Sequence, residues 1–576
     1  MILDNLGIKS KITTRLFDGL GWLGVDTECA GIRRLTVRVS FCVRTAMTRF
    51  DDKLAATIAH ARRHALGDLV RRTASRVPDR TALIYRDLRQ SYAELDATIN
   101  RTANALAQRG VVKGERIALL SHNNHAYVVT CLALARLGAI TVPVNFVLGA
   151  SEVAFILEHA GATGLIAEDT LVPVADEAIK TAPVNAMNVR GAIGGTADLP
   201  SGWEPFTAWS EYPDATAPDV SIDDDDVLQL IYTSGTEARP KGTMMTSRNL
   251  IAQYVSCIID GRYSQDDVEI HALPLFHVAA QHCFLMPGLY VGAINIVLDG
   301  PDPSTVLATV EQEKVTKLFC PPTVWIALLR HPDFDRRDLS SLRKGYYGAS
   351  IMPVEVIKEL SARLPKMELF NYYGQTELSA VALILPPEDQ VRKPGSAGRP
   401  AINVETILVD DDGRPVPPGV EGEIVHRSPH VTAGYWNDPG KTAEAFRSGW
   451  FHSGDLGVMD EDGYITVVDR KKDVINTGGE NVASREVEEV LFQHPAVSEA
   501  AVFGIPHARW MEAVAAAVVP RNDQTLSGDE LTAFCRERLA GYKTPKYFVV
   551  VDALPKNASG KILKRDLRIT YAKLAD

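Results

Sequence analysis

From about residue 64 onward the apolar residues fall into short blocks whose spacing alternates between helical and extended. Residues 65–76 repeat at helical spacing, 81–85 form a β-rich run, and a second helix is predicted from Ser91. There Ser91-Tyr-Ala-Glu94 matches a capping box, in which the serine hydroxyl and the glutamate carboxylate satisfy each other's exposed amides. Strands follow at 116–120, 139–144 and 163–167, separated by helix-length segments, with others at 227–232 and 344–347. Alternation of this kind argues for an α/β fold with largely parallel sheets. Beyond residue 469 the pattern reads as a compact α+β unit, with an amphipathic helix at 485–493 and strands near 497–503 and 513–519.

Composition adds limits. A chain of 576 residues, 46% hydrophobic and 23% charged, is longer than one core normally supports, so more than one domain is expected. Net charge is −11 and the pI is near 5.8, which argues against a nucleic-acid partner. The seven cysteines (Cys29, Cys42, Cys131, Cys257, Cys283, Cys320, Cys535) are scattered and show no C-x-x-C spacing, as expected of reduced thiols in a cytoplasmic protein without structural zinc. Apolar stretches such as 127–137 end well short of the roughly 20 residues a membrane span needs, so a soluble protein without integral membrane contact is expected.

Two segments invite over-reading. Residues 1–50 carry Arg33, Arg34, Arg38, Arg44 and Arg49 among acidic residues, without the apolar core and cleavage site of a secretory signal. The expectation is a poorly ordered or spurious extension with Met47 as the true start; a targeting or membrane-surface helix is the alternative. The run Asp223–Asp226 resembles a metal cluster, but four adjacent carboxylates cannot converge on one ion from an extended segment. A solvated turn is expected instead.

The stretch Tyr232-Thr-Ser-Gly-Thr-Glu-Ala-Arg-Pro-Lys-Gly242 carries candidate chemistry. A strand running into small hydroxyl residues and glycine brings backbone N–H groups close to phosphate oxygens, and Lys241 adds a cation. Lys241 lies between Pro240 and Gly242, so the loop is not of the Walker A type. An ordered set follows: Leu273-Pro-Leu-Phe-His277, Asn371-Tyr-Tyr-Gly-Gln-Thr-Glu377, Gly422-Glu423, Ser453-Gly-Asp455, the run from Asp469 to Asn481, and Pro555-Lys-Asn-Ala-Ser-Gly-Lys561.

In this set and order the sequence resembles the adenylate-forming superfamily of acyl-CoA synthetases, peptide-synthetase adenylation domains and firefly luciferase, from about residue 65 to the C-terminus. The resemblance implies a large N-terminal domain of layered β-sheets and helices (51–469) and a small mobile α+β C-terminal domain (470–576). It also implies ATP, Mg²⁺ and coenzyme A as cofactors. Thr233, Ser234, Gly235, Thr236 and Lys241 would grip the β- and γ-phosphates. Thr376 and Glu377 would approach the α-phosphate, with Glu377 and Thr236 holding the metal. Gly348, Ala349 and Ser350 would border adenine and the acyl pocket, and Tyr373, Gly374 and Gln375 would contact the nucleotide. Asp455 and Arg470 would take the ribose. Lys561 would bridge the acid's carboxylate and the α-phosphate, and rotation about Lys472 would replace it with Gly478, Gly479 and Glu480 beside the pantetheine arm of CoA. His277 would gate the acyl carbonyl, with Glu480 as partner.

The chain departs from the commoner pattern at Glu237 and Ala238, which place a carboxylate near the triphosphate, and in Val482-Ala-Ser-Arg485, which lacks a proline often found there. Residues 276–281 carry no carboxylate to hold an amino acid's ammonium, so an acid without an α-amino group is expected. Gly374 replaces the tryptophan of acetate-specific members, which implies room for a longer or bulkier acid. A medium- or long-chain fatty acid is the leading expectation, an aryl or arylpropenoic acid the second, and a carrier-protein acceptor or a catalytically silent nucleotide-binding protein the remaining alternatives. Transient membrane-surface contact and a homodimer are left open.

Overall fold

A computed structural model describes residues 11–15, 22–26 and 52–575, save 183–186, 196–198, 234–239, 351, 472, 522–523 and 558–559. Residues 1–62 form a unit of their own. In it an antiparallel hairpin (Lys11–Arg15 with Trp22–Asp26) and the helix Asp52–Ala61 are described; the rest of the expected extension lies outside the described residues.

Residues 63–576 build two large sheets, a small antiparallel sheet and a C-terminal α+β lobe. The seven-stranded sheet runs from Lys241–Thr246 and Val227–Thr233 through Ile140–Val144, Arg116–Leu120 and Gly164–Glu168 to Val189–Ile193 and Glu204–Pro205. All its pairings are parallel except that of its first two strands. The nine-stranded sheet has a parallel centre, including Lys344–Gly348 beside Glu368–Tyr373, and antiparallel edges. Strands such as Ile140–Val144 are buried along their whole length, as both-face coverage demands.

One apolar core joins the two sheets. It takes Ile117 and Leu119 from the first, Leu83 and Phe370 from the second, and Tyr127, Val128 and Leu132 from the helix His125–Leu137. That helix is buried on every side from Ala126 onward, and Asn124 caps it by accepting from the Tyr127 amide. Ser91 and Glu94 form the expected capping box ahead of the helix Tyr92–Gln108, a device worth about 1 kcal/mol. Asp223 to Asp226 form a turn closed by the Asp226 amide on the Asp223 carbonyl, 3.1 Å, with Arg248 and Lys113 paired to Asp225 and Asp226.

The third sheet (Glu405–Val409, Glu421–Arg427, Trp450–Met459, Phe446–Arg447 and Ile465–Arg470) is antiparallel and sets Asp455 opposite Arg470. In the C-terminal lobe, Val497–His507 pairs antiparallel with Met511–Pro520, packed by the helix Ser484–Phe492.

Candidate active site

At one end of the site the antiparallel pair Val227–Thr233 and Lys241–Thr246 puts Thr233 opposite Lys241. The connection carrying Ser234, Gly235, Thr236, Glu237 and Ala238 lies outside the described residues. The turn Thr376–Leu378 follows the strand Glu368–Tyr373 and delivers Glu377, 9% exposed. Its Oε1 accepts from Tyr435 Oη at 2.8 Å, and Lys241 Nζ sits 5.3 Å from the centre of the same tyrosine ring. Burial, then the Glu377 carboxylate, push the Tyr435 phenol up, so it stays a donor. Magnesium takes few protein ligands, one or two carboxylates beside substrate phosphates. A nearly buried carboxylate with Oε2 outside that hydrogen bond, near the Lys241 cation across the Tyr435 ring, fits such an ion.

At the other end, a cavity of about 190 Å³ is lined by Ala349, Ser350, Tyr373, Gly374, Asp455, Arg470 and Lys561 among others. Asp455, 5% exposed, accepts from Tyr373 Oη at 2.6 Å, and Arg470 Nε lies 3.3 Å from its other oxygen. A buried carboxylate that accepts a hydrogen bond on one side and is charge-paired on the other is fixed in orientation, which suits two vicinal hydroxyls. Gln375 does not reach this cavity's wall; its amide donates to the Ser453 carbonyl at 3.1 Å and so fixes the Asp455 turn.

Backbone approach explains the glycines here. A Cβ on Gly348 would lie 2.4 Å from the Tyr372 carbonyl oxygen, and Ala349 next to it holds φ +63°. Gly374 corrects an expectation: a Cβ there would lie 2.3 Å from the Ala380 carbonyl oxygen and 2.9 Å from the Val381 Cα. The glycine is needed for close packing of backbone on backbone, and it does not mark spare room for an acyl chain.

Lys561 enters the cavity from a hairpin of the C-terminal lobe. The Asn557 amide and carboxamide bond the Lys561 backbone, and the Gly560 carbonyl accepts from Thr323 Oγ1 at 3.3 Å on the large lobe. His277 is partly buried at the start of an irregular helical stretch, Ala279–Leu285. Burial, then the nearby Lys561 cation, push its pKa down to about 4, so the imidazole is neutral at physiological pH.

The residues expected at the CoA arm stand elsewhere. Gly478 (φ +66°) and Gly479 (φ +91°) form the exposed turn of the hairpin Ile475–Thr477 and Glu480–Val482, and neither they nor Glu480 lines the cavity. Lys472 lies outside the described residues. This lobe is held by contacts the motifs did not announce. Ser484 N and Oγ both donate to Asp469 Oδ2 at 2.7 Å, while the Arg485 guanidinium reaches the carbonyls of Val467 and Gly395. A proline at 484 could not donate that amide, so the departure in Val482-Ala-Ser-Arg485 acquires a consequence: it builds a polar clasp between lobes.

Tyr435 and Arg485 are therefore functional candidates that sequence reasoning missed. No local signal exposes them, because their partners lie far along the chain. The expected residues divide into those around the cavity and those around Glu377.

The AMP-binding enzyme family matches residues 70–436, and the AMP-binding enzyme C-terminal domain matches 486–561. A feruloyl-CoA synthase of Amycolatopsis sp. is 40% identical over 508 residues, covering 88% of this chain and 99% of that protein. A long-chain-fatty-acid–CoA ligase of Mycobacterium tuberculosis is 35% identical over 488 residues, covering 84% and 94%. The crystal structure of an anthranilate CoA ligase with anthranoyl-AMP superposes with a TM-score of 0.83 at 29% identity, covering 90% and 99%.

Proposed function

The chain belongs to the AMP-binding enzyme family, and from that premise we propose that it activates an aryl or arylpropenoic acid. It is an ATP-dependent acyl-CoA ligase that works with Mg²⁺ through an acyl-adenylate. The observation that carries the substrate reading is the 40% identity to a feruloyl-CoA synthase across nearly the whole of both chains.

In the first half-reaction a carboxylate oxygen of the acid bonds to the α-phosphorus as the bond to the pyrophosphate oxygen breaks. Asp455, braced by Tyr373 and Arg470, holds the ribose, and Lys561 offsets the charge on the approaching carboxylate and α-phosphate oxygens. Glu377, with Thr236, would hold Mg²⁺, which when bound neutralises charge on the departing pyrophosphate. Neutral His277 flanks the acyl group without adding a second cation. In the second half-reaction the C-terminal domain (470–576) rotates about Lys472 against residues 51–469. Lys561 withdraws, and Gly478, Gly479 and Glu480 admit the CoA thiol, which attacks the acyl carbon and releases AMP. We place this chemistry in the cytoplasm.

A medium- or long-chain fatty acid is the second reading, favoured by the 35% identity to a long-chain-fatty-acid–CoA ligase. A panel of ferulate, cinnamate, benzoate, octanoate, palmitate and acetate, each with and without CoA, tests both readings. Turnover led by ring acids and dependent on CoA supports the first; turnover that climbs with alkyl length and ignores the ring acids overturns it. Acyl-AMP accumulation with no CoA thioester would point to a carrier-protein acceptor.

A further inference from the structure

We propose that Tyr435 is a positioning residue that keeps the metal-binding carboxylate of Glu377 and the phosphate-loop lysine, Lys241, apart and aimed at ATP; this rests on the roles given to those two residues above. The geometry is a strap. After the strand Glu421–Arg427, residues 432–436 cross from one side of the site to the other. On one side they are stitched to the strand that starts with Lys241: the Trp436 amide donates to the Gly242 carbonyl at 2.8 Å, the Met244 amide to the Gly434 carbonyl at 3.0 Å, and Thr432 Oγ1 to the Met244 carbonyl at 2.6 Å. On the other side the Thr432 amide donates to the Glu377 carbonyl at 2.8 Å. The turn depends on Gly434, whose φ is +119° and where a Cβ would lie 2.8 Å from Thr442 Cγ2.

The Tyr435 side chain repeats this bridge with functional groups. Its hydroxyl donates to Glu377 Oε1 at 2.8 Å, and its ring face carries Lys241 Nζ at 5.3 Å from the centroid. Opposite charges facing one site are drawn into a direct ion pair, which would take the carboxylate from the metal and the ammonium from the phosphates. A phenol offers each charge a neutral partner instead: a hydrogen-bond donor for the carboxylate and a π face for the cation. One carboxylate oxygen is then fixed. Tyr435 is itself 9% exposed, so the arrangement is shielded from water that would loosen it.

Tyr435→Phe removes the hydroxyl and keeps the ring; Tyr435→Leu removes both. Each is compared with wild type and Glu377→Gln. The readouts are the thermal shift induced by ATP as Mg²⁺ is titrated, calorimetric ATP affinity in EDTA, AMP affinity, and KM and kcat in ATP–pyrophosphate exchange. Tyr435→Phe is expected to raise the Mg²⁺ midpoint about tenfold, the scale of one hydrogen bond to a charged group, and to leave ATP affinity in EDTA and AMP affinity unchanged. Tyr435→Leu is expected to weaken ATP binding in EDTA by about threefold in addition, as the cation loses its ring. If Glu377→Gln raises the Mg²⁺ midpoint and Tyr435→Phe does not, the positioning role is wrong while the assignment of Glu377 stands. If neither substitution moves the midpoint, the metal assignment fails and the proposal with it. A Tyr435→Phe protein that loses AMP, ATP and thermal stability alike would make the residue merely structural and overturn the proposal.

Discussion

Replacing Lys561 with alanine separates the two half-reactions. The side chain lines the cavity with Asp455 and Arg470, while the Gly560 carbonyl of its hairpin accepts from Thr323 Oγ1 on the large lobe. Alanine therefore deletes the cation and leaves the docking in place. A unit charge about 4 Å from a developing anion contributes about 4 kcal/mol at an effective dielectric of about 20. Partial exposure of the lysine reduces this to about 2–4 kcal/mol, or a loss between about 30-fold and about 10³-fold in acyl-AMP formation. The assay is ATP–pyrophosphate exchange for the first step and CoA consumption from supplied acyl-AMP for the second, which should stay within a factor of about two. An independent readout comes from His277. The Lys561 cation is the second cause of its depressed pKa, after burial, so its removal should raise the value from about 4 while burial keeps it below 6.5. Equal losses in both half-reactions, or an unmoved His277 titration, would refute the placement of Lys561.

The remaining predictions concern the clasp and the close-packed glycine. Arg485→Ala removes the guanidinium contacts to Val467 and Gly395, which rotation of the C-terminal lobe would break in any case; acyl-AMP formation should slow about five- to tenfold while thioester formation from supplied acyl-AMP holds or quickens, and the reverse split would show that the clasp acts in the other conformation. Gly374→Ala drives a Cβ to 2.3 Å from the Ala380 carbonyl oxygen and should cost about 1–3 kcal/mol in thermal unfolding, with weaker AMP binding. Gly374→Trp should be worse still, and a stable tryptophan variant with native AMP affinity would contradict the packing.

What was legible in the sequence was local. The Ser91 cap, the strand Arg116–Leu120 and the helix at the start of the C-terminal lobe follow from short-range spacing, and the structure places them within a residue or two of expectation. Ser453-Gly-Asp455 and the Asp469 to Asn481 run were legible as recognisable strings, though only strand pairing sets Asp455 opposite Arg470. Gly374 shows the limit of reading a residue by its size, because the missing side chain is filled by the backbone of Ala380 and Val381. Tyr435 and Arg485 show another limit. One stands 58 positions from Glu377 and the other 90 from Gly395, and no periodicity links residues that meet only after three sheets assemble.

The central claim, a CoA ligase acting through an acyl-adenylate on a ring-bearing acid, is tested most directly by product analysis of purified enzyme with ferulate, ATP, Mg²⁺ and CoA. Mass spectrometry should find feruloyl-CoA, AMP and pyrophosphate in equal amounts, with feruloyl-AMP appearing when CoA is withheld. ADP and phosphate as products, or no thioester from ferulate beside rapid thioester formation from palmitate, would contradict it.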